Sequence, residues 1–235
     1  MNQLKIAILV DGAFYLKRIR TIYKNIPGFD QFNSEYATYV LKKIIKVHVK
    51  DNYLYRVLYY DCFPYQKKIH HPVSKKVIHF GKSNQAYFRN SFFECLKRQR
   101  KFALRLSNLR DSTDWILDPD KLKKILNGSE KLADIQESDL RLDLRQKGVD
   151  MKIGLDIAAL AYKRYVDRIV LIAGDSDFVP AAKVARREGI DFLLNPLKQK
   201  IAADLFEHID GLNSICPNLK EFSAKMLHEN RKKKD

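Results

Sequence analysis

The stretch Asp167-Arg168-Ile169-Val170-Leu171-Ile172-Ala173-Gly174-Asp175-Ser176-Asp177-Phe178-Val179-Pro180 joins an apolar run to a glycine and two aspartates one residue apart. A helical pattern follows at once. The run over residues 169–173 reads as a buried strand. Residues two apart in an extended segment point the same way, so Asp175 and Asp177 present both carboxylates at that strand's carboxyl end. In open α/β sheets this edge is where ligands bind. Gly174 removes side-chain bulk there and lets backbone approach a ligand closely. A plainer account competes: Asp177 or Ser176 caps the helix starting near Phe178, and Pro180 suits its first turn. One capping acid is ordinary; two acids plus a glycine on a hydrophobic strand favour a functional site.

The same logic recurs near the start of the chain. Residues 4–10 form a short apolar run that ends in Asp11-Gly12, and residues 13–20 look helical. Asp11 is also a candidate N-cap. Two such turns are better explained by a shared acidic site, because the carboxyl ends of strands in a parallel sheet converge. A helix over residues 149–165 places Ile153, Ile157, Leu160 and Ala161 on one stripe. Asp150 heads that stripe, a costly place for a carboxylate without a partner. Asp156 sits at its edge, where an ordinary surface charge is the alternative. A cation held among the acids accounts for Asp150 better than capping alone. The alternation of strands and helices predicts an α/β fold, a mostly parallel sheet flanked by helices.

Composition points to the partner. The formal charge is +16, from 44 Lys and Arg against 28 Asp and Glu, which argues for an anionic partner and most economically for nucleic acid. An acidic protein partner or plain solubility is the alternative. Cys62, Cys95 and Cys216 are isolated, so neither a zinc ribbon nor a disulfide framework is expected. With no signal-peptide pattern and no apolar run of membrane-spanning length, a cytoplasmic location without a membrane partner is expected.

Elsewhere, residues 34–50 have helical spacing with Ser34 as cap, and residues 53–60 are rich in strand formers. Asp61 is either a third acid at the same rim or a turn residue ahead of Pro64, and the turn is favoured because Cys62-Phe63-Pro64 opens no helix; His70-His71 reads as part of a solvated basic loop. Residues 82–101 interleave aromatics with Arg89, Lys97, Arg98 and Arg100, which become candidate phosphate contacts. Arg145, Lys147 and Lys152 lie close in sequence to Asp150 and join them. Residues 102–106 and 140–144 alternate as half-buried strands, and Asp118-Pro119 opens a helix that Asn127-Gly128 ends. A helix ending at Gly189, a strand over 190–194 and a last helix over 198–208 complete the pattern. One domain over residues 1–222 is expected, with an irregular insertion near 107–137 and a basic, flexible tail over 223–235.

Val10-Asp11-Gly12, then Gly148-Val149-Asp150 with Asp156, then Gly174-Asp175-Ser176-Asp177-Phe178-Val179-Pro180 resemble the NYN domain, in particular its LabA-like branch within the PIN-like nuclease group. The resemblance implies a Rossmann-like sheet and a metal-dependent ribonuclease. Catalytic roles would fall to Asp11, Asp150, Asp175 and Asp177. The same four with Asp156 would be metal ligands for Mg²⁺ or Mn²⁺. One position departs from the pattern: many relatives carry Asn soon after the first aspartate, whereas Gly12-Ala13-Phe14 follows here. The expected partner is RNA, with single-stranded DNA as a second anion and a homodimer left open. The competing function is a non-catalytic RNA- or DNA-binding module of the same fold. A phosphotransfer or receiver-type domain ranks third: Ala13 stands where a haloacid-dehalogenase pattern needs its second acid, and no Gly-rich phosphate loop occurs.

Overall fold

The computed structural model describes residues 3–109, 113–146 and 148–219. In chain order the elements are β1 (Lys5–Asp11), α1 (Gly12–Tyr23), α2 (Ser34–Val49), β2 (Tyr53–Cys62), β3 (Lys68–His70), β4 (Val77–His79) and α3 (Asn84–Lys97). Then come β5 (Phe102–Ser107), β6 (Trp115–Leu117), α4 (Pro119–Leu126), β7 (Leu140–Leu142), α5 (Val149–Tyr162) and β8 (Arg168–Ile172). The last are α6 (Val179–Arg187), β9 (Asp191–Leu194), α7 (Ala203–Glu207) and β10 (Gly211–Leu212).

The chain divides into two compact units. The first is built from Met1–Asp61, Ser91–Ser107 and Gly148–Asp235. It holds a six-stranded sheet in the order β10-β9-β8-β1-β2-β5. The pairs β1·β2, β1·β8, β8·β9 and β9·β10 are parallel. The interiors of the two central strands are apolar because both faces are covered: Ile6, Ala7, Ile8, Leu9 and Val10 on β1 and Ile169 to Ile172 on β8 are completely buried. Register aligns Val10 with Ile172 and Asp11 with Tyr60, so β1, β2 and β8 end side by side. β2 lies on one side of β1 and β8 on the other. The carboxyl end of β1 is therefore the point where strand order reverses, the place that α/β sheets reserve for ligands.

Helix α5 buries Ile153, Ile157, Leu160 and Ala161, the stripe that its spacing predicts. Helix α2 is capped by Asn33, whose side chain accepts from the Tyr36 amide, rather than by Ser34, which is its first residue. The final helix is shorter than its pattern suggested, with five residues, Ala203–Glu207.

The second unit, Cys62–Asn90 and Asn108–Lys147, contains two antiparallel pairs, β3·β4 and β6·β7, together with α4. Asp118 caps α4 by accepting from the amides of Asp120 and Lys121, as Asp118-Pro119 predicts. Of the stretch near 107–137, residues 108–109 and 113–137 belong to this unit, while Ser107 ends β5 in the first. His71 is not solvated: it is buried, its ring meets Trp115 edge-on at 4.5 Å, and its Nδ1 accepts from the amides of Val73 and Ser74. Among the described residues no helix is long and apolar enough to cross a membrane.

Candidate acidic site

Strand β1 delivers Asp11 to the edge of the sheet. Its Oδ1 accepts from the Phe14 amide at 3.1 Å and so caps α1. The cap and the site readings of this residue are both met by one side chain. Burial pushes the Asp11 carboxyl up to about 6, and the charges of Asp150 and Asp61 add to the rise. The Phe14 hydrogen bond works in the opposite direction without overcoming burial.

Asp61 is a residue that the sequence reading misplaced. It lies within β2, completely buried, and accepts a hydrogen bond from the Tyr59 hydroxyl at 3.2 Å. β2 runs on past the last apolar position, so Asp61 belongs to the strand and not to a turn. The signal was available: residues 53–60 are a strand pattern ending in an acid, as β1 does.

Asp150 stands in the first turn of α5 and is exposed, not buried at the head of the apolar stripe as its spacing implied. A helix N-terminus favours a carboxylate. Even so, the Asp150 pKa is raised, by partial desolvation first and then by the charges of Asp175 and Asp177. Partial desolvation, with the neighbouring negative charges added to it, outweighs the helix end.

After β8 the chain makes one short helical turn, Ser176–Phe178, before α6. Asp175 caps it, accepting from the Asp177 amide at 3.2 Å, while Phe178 is buried and anchors the turn. Asp175 and Asp177 are both exposed. Asp175 thus caps the turn, and α6 has Phe178 at its cap position with no side-chain hydrogen bond, so neither Ser176 nor Asp177 caps it. Gly174 is required here, but for a different neighbour than a ligand: a Cβ would stand 2.5 Å from the Phe14 ring and 2.9 Å from Gln199. Phe14 fills that space. Gly12 is constrained likewise, since a Cβ would meet the Tyr59 phenol at 2.4 Å.

Four aspartates from the ends of two strands, a helix head and a capping turn therefore act on one another electrically, with Asp61 beside them. Asp156 differs. Its Oδ2 accepts from the Tyr60 hydroxyl at 2.7 Å and pairs with Arg105 Nε at 3.1 Å. It sits one to two turns beyond Asp150 on α5, already neutralised. Among the described residues, three ligand atoms lie within 4.8 Å of one another only at Asp204, Glu207 and His208, on the surface. No three of the four aspartates bring carboxylate oxygens within 4.8 Å of one another. Their all-oxygen donor set suits a hard cation, and Mg²⁺ commonly keeps several waters while using one or two carboxylates. The residues fit a hydrated divalent ion.

The basic residues separate into groups. Lys152 Nζ donates to the Leu106 carbonyl at 2.9 Å, Lys97 pairs with Glu94 at 2.7 Å and Arg145 with Asp143 at 2.9 Å. Arg89 lines a small cavity in the second unit with Tyr65 and Phe80. Arg98 and Arg100 are exposed beyond α3. Lys147 and the tail over 223–235 lie outside the described residues.

A mostly parallel sheet with acids gathered where its strand order reverses defines an α/β protein of the PIN-like type. The NYN domain model matches residues 83–210, more than half of the chain, and the chain belongs to the NYN domain family. The match takes in Asp150, Asp156, Asp175 and Asp177, while Asp11 and Asp61 precede it. The fold is similar to that of a Vibrio parahaemolyticus protein of unknown function. The TM-score is 0.50 at 20% identity, covering 90% of this chain and 92% of that one. No curated protein matches the chain.

Proposed function

We propose that this chain is a metal-dependent ribonuclease, of the LabA-like branch, that hydrolyses RNA phosphodiester bonds among Asp11, Asp150, Asp175 and Asp177. The observation that carries this reading is the crowding of acids at one sheet edge: burial first, then the charges of Asp150 and Asp61, holds Asp11 near 6, and partial desolvation first, then Asp175 and Asp177, raises Asp150. Carboxylates in such an arrangement oppose one another unless a cation lies among them. Asp11 and Asp150 would hold Mg²⁺ or Mn²⁺, with Asp175 and Asp177 completing the acidic wall. A divalent ion bound there supplies an activated water and neutralises charge on the scissile phosphate. The protein's own part is positioning. The Asp177 amide fixes one oxygen of Asp175, buried Phe178 fixes the turn, and the Phe14 amide fixes one oxygen of Asp11. The exposed Asp150 and Asp177 leave the site open to a polymer. Asp156 is assigned to the Arg105–Tyr60 pairing and not to the ion. The cytoplasm is the proposed location.

A mixed-RNA assay with Mg²⁺ or Mn²⁺ tests the reading. Asp175→Asn and Asp177→Asn are each expected to lower cleavage by roughly 100-fold or more. Cleavage at the wild-type rate in both variants would remove the mechanism. That no three of these acids bring oxygens within 4.8 Å of one another favours one second reading, a non-catalytic RNA- or DNA-binding module, which predicts salt-sensitive binding without metal-stimulated turnover.

A further inference from the structure

The first unit carries a second charged surface at the opposite end of its sheet. Lys42, Lys46 and Lys50, on α2 and its cap, and Arg98 and Arg100, after α3, surround an open hollow of about 460 Å³. Ile45, Val49 and Phe102 line its floor, and no acid contributes. Among the described residues, Lys46, Lys50, Arg98 and Arg100 have no carboxylate within 4.0 Å. Glu94 feels Arg98 but is held by Lys97.

The ordinary explanation is that cations collect at helix carboxyl ends, and α2 and α3 both end here. Two such ends supply about one unit of negative charge between them. Lys46, Lys50, Arg98 and Arg100 exceed that several-fold. On α2 the three lysines are four residues apart, about 6 Å of rise each, an interval that suits successive phosphates of an extended strand.

We propose that this hollow is a second RNA-contacting surface, remote from the acids, that binds a flanking part of a single-stranded substrate. It rests on the RNA-processing reading above. Leu54 lines the hollow and Asp61 the acidic end of the same strand, seven residues on. At about 3.3 Å per residue they are roughly 23 Å apart, so only an RNA of some length reaches both. The lysines and arginines take phosphates, and Phe102 with the aliphatic floor takes bases, the combination used for single strands.

The test is fluorescence anisotropy with single-stranded RNAs of about 5 and about 20 nucleotides, in an Asp177→Asn background that limits turnover. The triple variant Lys46→Glu/Arg98→Glu/Arg100→Glu is compared with its parent, and thermal melting checks that both are folded. The long RNA is expected to bind at least about 10-fold more weakly in the triple variant, with a salt slope smaller by about 2. The short RNA is expected to bind equally to both proteins. Unchanged affinity for the long RNA overturns the proposal, as does an equal loss for both lengths. If poly-glutamate or anionic-lipid vesicles bind the parent and not the triple variant while RNA binding stays constant, the surface serves that partner instead. If wild-type protein never cleaves RNA but the length-dependent loss is seen, this surface stands and the nuclease reading alone falls.

Discussion

Asp11 shows how one residue serves structure and site together. As a cap it satisfies an α1 amide, and as a half-buried acid beside other acids it resists ionisation, with a pKa of about 6 against an ordinary 3.8. Its folded value is raised, so ionisation costs stability. The cost is absent below about 3.8 and fully present above about 6. Asp11→Asn keeps a capping side chain and removes the charge. Without metal it is expected to raise stability above this window by roughly 1–3 kcal/mol, with little effect near pH 4. Urea unfolding at both ends of the window checks this. His48 shows the opposite sign. It is buried on α2, and burial, then Arg168, lower its pKa from 6.5 to about 4. Asn195 Oδ1 accepts from the Leu197 and Ile215 amides, so its Nδ2 donates to His48 Nε2 at 2.8 Å, and that nitrogen carries no proton. The stability from keeping His48 neutral is complete above about 6.5 and is lost as pH falls toward about 4, up to about 3 kcal/mol. His48→Gln retains an acceptor and is expected to flatten this part of the pH profile. A slope that survives the substitution would show that another group is responsible. Neither shift was legible in sequence, because burial is a property of the assembled core.

At the scale of elements, the two central strands were readable because each is an unbroken apolar run ending in an acid. That pattern fits a strand covered on both faces and little else. The reading failed where spacing had to stand for direction. Asp150 was assigned to the buried side of α5 from its offset to Ile153 and Ile157, yet at the first turn it lies exposed. Asp61 was read as a turn because Pro64 follows, but β2 continues through Cys62. The short pairs β3·β4 and β6·β7 have three residues a strand, too few for periodicity to register. The glycines carry a sharper prediction. Gly12 lies against the buried Tyr59 ring, which also donates to Asp61, so Gly12→Ala must displace that ring. The expected cost is about 1–3 kcal/mol, read as a lower melting temperature with loss of cleavage. An unchanged melting temperature would mean that the ring moves freely.

For the whole molecule, the +16 charge and the family match describe a chain suited to an anionic polymer. The acids oppose that charge in the first unit, and their placement where strand order reverses follows from the order β9-β8-β1-β2. That much was legible from Asp11, Asp175 and Asp177, because strand ends converge in any parallel sheet. The surface around Lys46 and Arg98 was not, since its residues are about 50 positions apart in sequence and meet only through α2 and α3. The central claim is that the aspartates share a divalent cation, and Mn²⁺ binding followed by electron paramagnetic resonance tests it most directly. Saturable binding is predicted for the wild type and for Asp204→Asn, which removes a ligand from the surface cluster, and at least about 10-fold weaker binding for Asp11→Asn and Asp150→Asn. Wild-type affinity in Asp11→Asn and Asp150→Asn, with loss in Asp204→Asn, would contradict it.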